Sequence, residues 1–178
     1  LRDEGVSLLG GDTPRETAIA WCFVLVQFAL LVAILLLPSG DAWVLPAGLA
    51  TAARWTGLAG MAVLILGAIG LGRSLTALPT PVPHGELRTG GLYRFVRHPI
   101  YTGVLALSFG AAVPSGSPAV LAAAIALTGW LALKARWEEQ RLRHRYPSYD
   151  AYAGRTPRFV PGWPFGADRH QPTTGSWS

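Results

Sequence analysis

Apolar residues run almost unbroken through four stretches of the chain, residues 18–37, 55–72, 99–113 and 119–137, and polar residues gather between and after them. About 20 mostly apolar residues carry a helix across a bilayer, so the pattern predicts four transmembrane helices, the third short for a span. The first stretch is interrupted only by Gln27. In the second, Gly57, Gly60, Gly67 and Gly70 fall within one arc of roughly 140° at 100° per residue, the pattern of a helix face that lets a neighbouring backbone come close.

The breaks are equally informative. Pro114-Ser115-Gly116-Ser117-Pro118 separates the third and fourth stretches and is short enough to predict an antiparallel helical hairpin, with Ser117 as N-cap and Pro118 in the first turn. His98-Pro99 reads the same way, because proline is tolerated at the first helical position and disfavours helix in the residue before it. That places His98 at the mouth of the third helix. Residues 73–98 are rich in proline and glycine and too polar to cross a membrane, so they form a structured surface loop. Residues 138–152 read as a charged interfacial helix interrupted near Pro147, with Tyr146, Tyr149 and Tyr152 at the membrane surface. The tail from residue 162 reads as loose.

Composition agrees with an all-α integral membrane protein of a single domain: 51% of the 178 residues are hydrophobic and 14% charged, with mean hydropathy +0.34. Two N-terminal helices (18–72) precede a core (73–161) and the tail (162–178). A lone Cys22 inside an apolar run excludes a disulfide framework and a cysteine-based metal site, and no metal site is predicted. The first residues mix acidic and basic side chains through Glu16 without the pattern of a signal peptide. A net charge of +5 reflects topology and not nucleic-acid binding, because the basic residues flank the apolar stretches. Arg73, Arg88, Arg94 and Arg97 lie in the central loop and Lys134, Arg136, Arg141, Arg143, Arg145, Arg155, Arg158 and Arg169 at or beyond the end of the last span, against only Asp41 and Arg54 in the other loops. The positive-inside rule then places both termini and the central loop in the cytoplasm, with the protein in the plasma or inner membrane.

Charged groups converge on the cytoplasmic mouth of the third and fourth helices: Arg97, His98 and Tyr101 from one, Lys134, Glu138 and Glu139 from the other. Charge beside hydrocarbon is costly and marks function. Free amides at the helix start, residues 100–102, with Arg97 beside them, would take an anion. Glu138 would take a cation, so a zwitterion fits the mouth. Lys134 and Glu138, four apart, also have the spacing of a surface ion pair.

The order of motifs makes the comparison specific. Leu87-Arg88-Thr89-Gly90-Gly91-Leu92-Tyr93-Arg94-Phe95-Val96-Arg97-His98-Pro99-Ile100-Tyr101-Thr102-Gly103, then Glu138-Glu139 with Leu142, Tyr149-Asp150-Ala151-Tyr152 and Thr156-Pro157-Arg158-Phe159-Val160-Pro161, resembles the isoprenylcysteine carboxyl methyltransferase and phospholipid methyltransferase superfamily over roughly residues 75–161. The resemblance implies an integral membrane enzyme using S-adenosylmethionine. Gly85, Glu86, Leu87, Arg88, Tyr93, His98 and Tyr101 would line the cofactor, Glu138 would pair with its amino group beside Glu139, and Gly103 would let it approach the third helix. Arg97, Lys134 and Glu138 would serve catalysis. No glycine-rich strand-to-helix turn is present, so the soluble nucleotide-fold cradle cannot be built.

In the isoprenylcysteine enzymes an arginine one turn before the paired glutamates is associated with the acceptor carboxylate; here that position is Lys134, which brings charge without a bidentate fork. Arg136 lies about 200° around the helix and is no substitute. The implied reaction is in-line displacement at the sulfonium methyl with a lipophilic small-molecule or prenylated acceptor arriving from the bilayer. A carboxylate acceptor needs no base; an amine or thiol does, with His98 or Glu139 as candidates. An NADPH-dependent membrane reductase and a non-catalytic membrane protein are the alternatives.

Overall fold

The computed structural model describes residues 14–72 and 87–162. Helix α1 (Pro14–Leu36), α2 (Ala47–Leu71), α3 (Pro99–Ala112), α4 (Pro118–Arg145) and the short α5 (Tyr149–Ala153) make up the fold, and no strand occurs among the described residues. At 1.5 Å per residue α1, α2 and α4 exceed the ~30 Å of bilayer hydrocarbon, whereas α3 reaches only about 21 Å. The protein is an all-helical membrane protein, and its described residues hold three helices long enough to span and one shorter apolar helix, α3. Lipid-facing positions such as Leu25, Leu35, Trp55 and Ile69 remain exposed, as expected where the bilayer is the solvent.

The helices pair as α2 with α3 and α1 with α4, and α3 meets α4 in the middle. The glycine arc of α2 does what its spacing predicts. Gly57, Gly60 and Gly67 are buried against Gly110, Gly103 and Ile100 of α3, and Gly70 lies under Tyr93. A methyl group at Gly103 would sit 2.5 Å from the Gly60 carbonyl oxygen, and one at Gly110 2.6 Å from the Gly57 Cα. Such backbone proximity supplies the dispersion contacts that hold helices together where lipid removes the hydrophobic drive. Across the other seam, Trp130 donates to the Phe23 carbonyl at 3.0 Å and its ring lies 5.1 Å from that of Phe23.

At the end of the bundle away from the paired glutamates, Gly40 and Ala42 donate to the carbonyls of Ser115 and Gly116, and Trp43 Nε1 donates to Val113. Gly116 takes φ 65°, a left-handed turn that a side chain would strain, and a Cβ there would strike the Gly40 carbonyl. Ser117 stands at the N-cap of α4 as predicted, but its hydroxyl makes no cap bond; its amide instead donates to Ser115 Oγ.

The separate interfacial helix over residues 138–152 is not formed. Helix α4 continues through Arg145, and the break follows from Pro147, which drives Tyr146 into extended backbone (φ −123°, ψ 105°). Tyr149 and Tyr152 of α5 are buried, with Leu87, Leu142 and Tyr146 packed around them, and do not lie at a lipid surface. The Tyr152 hydroxyl donates to the Tyr93 carbonyl, and the Tyr93 hydroxyl to Gly67 of α2 at 3.3 Å, which docks the C-terminal segment onto the helix bundle.

Candidate active site

Residues 155–162 return across the start of α3. Arg97 and His98 donate their amides to the carbonyls of Pro157 and Arg158, and Thr102 Oγ1 donates to the Phe159 carbonyl at 2.7 Å. The Phe159 ring lies 5.9 Å from His98 and 6.5 Å from Tyr101, which are themselves stacked in parallel at 5.2 Å. The mouth of α3 and α4 is therefore roofed by a strap from the C-terminal segment. The Thr102 amide closes the first turn on His98, so it is not one of the free donors expected at the helix start.

Beneath the roof the two glutamates have different surroundings. Glu139 has no exposed surface. It accepts from Arg158 Nε at 2.9 Å and Nη2 at 2.7 Å, shares a hydrogen bond with His98 Nε2 at 3.0 Å, and has Arg97 Nη1 at 3.3 Å. Three hydrogen bonds and the Arg97 charge bear on this carboxylate, and its lack of exposed surface closes it off from the open mouth. Glu139 thus ties the strap, the start of α3 and α4 together as a keystone. Arg97, only 4% exposed, turns inward to Glu139 and not out toward the helix start.

Glu138 is partly exposed. The Tyr101 hydroxyl donates to its Oε1 at 2.5 Å, and its Oε2 faces His98 Nδ1 at 3.6 Å, longer than a hydrogen bond, so acceptor capacity remains. The His98 ring thus stands between the two carboxylates with neither nitrogen directed at open space. Burial, with a contribution from the nearby Glu138 charge, pushes the Tyr93 hydroxyl up to about 12. Burial likewise raises Tyr149, where the Glu139 charge adds and the Arg97 charge opposes. Both phenols stay protonated and act as structure.

Lys134 lies deeper, 5% exposed, and donates to Gln27 Oε1 of α1 at 2.8 Å; its ammonium is 5.2 Å from the Tyr101 ring centroid. It is not a solvated surface partner of Glu138. Of the other predicted residues, Gly103 faces α2, with Gly60 and Leu64 packed where a Cβ would stand. Leu87 packs on Tyr149 and Tyr152, and Arg88 is exposed. Gly85 and Glu86 lie outside the described residues. A separate shallow cleft of about 330 Å³ is lined by Thr89, Arg94, Tyr152, Arg155 and Thr156.

The structure brings Arg97, His98, Tyr101, Lys134, Glu138 and Glu139 into one cluster, and adds three residues the sequence reading left out of the site. Arg158 and Phe159 stood within the quoted Pro157-Arg158-Phe159 motif but carried no role, and Gln27 was visible as the one polar break in the first apolar run. Among the described residues no group of His, Cys, Asp and Glu is arranged to hold a metal ion.

Among the described residues, apolar helices long enough to cross a membrane carry a cluster of buried charge at the mouth of α3 and α4, the pattern of an integral membrane protein. Residues 55–148 match the phospholipid methyltransferase family, and the chain belongs to that family of membrane methyltransferases. No curated protein matches it.

Proposed function

We propose that this protein transfers a methyl group from S-adenosylmethionine to a lipophilic acceptor at the cytoplasmic face of the membrane, an isoprenylcysteine-type carboxylate being the acceptor class that Lys134 suits. The observation that carries the reading is the contrast between the two glutamates. Glu139 is consumed by Arg97, His98 and Arg158, while its neighbour Glu138 keeps an open oxygen beside an aromatic wall of His98, Tyr101 and Phe159. A carboxylate with spare acceptor capacity in a partly dehydrated mouth fits an ammonium. The flat, stacked His98 and Tyr101 rings beside it fit a cationic and heteroaromatic ligand.

When bound, S-adenosylmethionine supplies an activated methyl on a leaving group that needs no acid. The chain's part is then to bind, orient and exclude water. Glu138 holds the amino group, Tyr101 fixes the Glu138 carboxylate through its hydroxyl, and Phe159 covers the mouth. Lys134, one turn deeper in α4, faces the acceptor. A carboxylate acceptor gives up no proton.

Residues 73–161 act as the catalytic core on this reading, with the helices of residues 18–72 against it and residues 162–178 as a tail. The arginines around the end of α4, and the Arg141–Glu16 pair that fixes the start of α1 at that same end, favour a cytoplasmic mouth and a cytoplasmic N-terminus in the plasma or inner membrane. Isothermal titration of the detergent-purified protein with S-adenosylmethionine, S-adenosylhomocysteine and NADPH tests the cofactor. Saturable binding of the two S-adenosyl compounds and none of NADPH is expected; binding of NADPH alone would turn the reading to a membrane reductase.

A further inference from the structure

The cleft of about 330 Å³ between the 3-10 turn Gly91–Arg94 and the C-terminal segment has a chemistry that the mouth of α3 and α4 does not use. Thr89, Arg94, Tyr152, Arg155 and Thr156 line it, which brings two cations and no carboxylate to one place. Neither guanidinium forms an ion pair or a side-chain hydrogen bond among the described residues. That sets the two apart from nearby arginines, since Arg97 and Arg158 close on Glu139, Arg141 on Glu16 and Arg143 on Asp150. Like charges gathered in one cleft repel unless an anion lies between them. Thr156 adds an unpaired group of its own. It is only 4% exposed, and its hydroxyl makes no hydrogen bond among the described residues, although a buried polar group is ordinarily paired.

The walls hold these groups in place. Arg94 Cζ lies 4.5 Å from the centroid of the Phe95 ring, a stacking that leaves the in-plane N–H donors of the guanidinium free. The Tyr152 hydroxyl is spent on the Tyr93 carbonyl, so that ring is wall and not ligand-binding group. Phe95 is 48% exposed just before Pro99 opens α3, the position of an interfacial aromatic, which puts the cleft at headgroup level.

Two guanidinium forks with the Thr89 and Thr156 hydroxyls offer more donors than a carboxylate accepts, and they suit the oxygens of a phosphate. Arg94 belongs to the segment that leads into α3, whereas Arg155 and Thr156 begin the strap whose Pro157 and Arg158 carbonyls hold the Arg97 and His98 amides. One anion gripped from both sides ties these segments together. We propose that the cleft is a phosphate site, filled by the headgroup of an anionic phospholipid from the leaflet at the mouth end, and that its occupancy holds the strap down over the mouth. The ligand is structural and is not the methyl acceptor, because none of the five residues belongs to the His98, Tyr101 and Glu138 cluster. Its binding does not depend on the methyl-transfer reading.

The test uses the full chain in a neutral detergent: wild type, the cleft variant Arg94→Gln/Arg155→Gln, and Arg136→Gln/Arg145→Gln, which removes two exposed charges outside the cleft. Thermophoresis measures binding of dioctanoylphosphatidylglycerol, dioctanoylphosphatidylcholine and glycerol 1-phosphate. Wild type should bind the glycerol lipid saturably and more tightly than the choline lipid, whose own ammonium offsets the phosphate. Weaker binding of glycerol 1-phosphate supports the leaflet as the source; equal or tighter binding would keep the phosphate site and overturn the lipid as its occupant. The cleft variant should bind the lipid about ten- to a hundredfold more weakly at a matched melting temperature, the size of one or two charge-assisted hydrogen bonds. The control pair should lose about threefold at most, as screened surface charges do. Hydrogen exchange follows the strap: saturating lipid should slow exchange of the Arg97 and His98 amides in wild type and not in the cleft variant. No saturable binding of either phosphate compound, an unchanged affinity in the cleft variant, or an equal loss in both variants would overturn the site. Binding that leaves exchange at Arg97 and His98 unaltered would overturn its hold on the strap.

Discussion

Glu139→Gln isolates the keystone from the ligand site. The substitution keeps the side chain's shape but removes its charge and converts one acceptor oxygen into a donor, which then faces Arg158 or His98, donors already aimed at that position. Arg97 and Arg158 lose the anion between them, Arg97 with only 4% of its surface exposed. Each lost charge-assisted hydrogen bond is worth about 1.5–3 kcal/mol, and breaking a buried ion pair from one side costs about 3–5 kcal/mol, so the contacts are not additive and the second figure bounds the effect. For a chain of this size about 2–4 °C of melting temperature accompanies each kcal/mol, which predicts a loss on the order of 6–20 °C. Thermal unfolding followed by tryptophan fluorescence in one detergent measures it, with Glu138→Gln as the neighbouring control expected to melt near wild type. A Glu139→Gln protein that melts with wild type would refute the keystone assignment.

Gly103→Ala separates helix packing from ligand approach. A methyl 2.5 Å from the Gly60 carbonyl must push α2 and α3 apart, so about 1–3 kcal/mol of stability should be lost while S-adenosylhomocysteine affinity in the folded fraction is kept; a stable variant with lost affinity would return Gly103 to the ligand. Topology is checked by cysteine labelling in spheroplasts after removing Cys22: Ser39→Cys should react with an impermeant maleimide only from outside and Ser148→Cys only from inside, both positions being exposed at opposite ends of the bundle. Exchanged labelling would put the mouth away from a cytosolic cofactor.

The helices were legible because hydropathy, Pro99, Pro118 and the glycine arc are local signals, and each acts on the backbone where it stands. The length of α3 was legible too. The roles of adjacent residues were not. Glu138 and Glu139 are 100° apart on α4, and only the return of residues 157–159 across the mouth decides which of them is closed off by Arg158. Gly103 sits in a ligand motif yet meets α2, because the α2 glycines bring a backbone to it. Tyr149 and Tyr152 looked interfacial from their neighbours, and are buried because Pro147 ends α4 and turns α5 back over Tyr93. Lys134 and Gln27 are separated by 107 residues, so no spacing rule joins them.

The methyl-transfer reading turns on Glu138, at the mouth of α3 and α4, holding the amino group of the methyl donor. Titration of S-adenosylhomocysteine into wild type and Glu138→Gln, with matched melting temperatures as the control for folding, tests it most directly. Loss of a charge-assisted hydrogen bond of about 1.5–3 kcal/mol predicts affinity weaker by about ten- to a hundredfold in Glu138→Gln. Equal affinity in the two proteins would contradict the claim and move the cofactor away from Glu138.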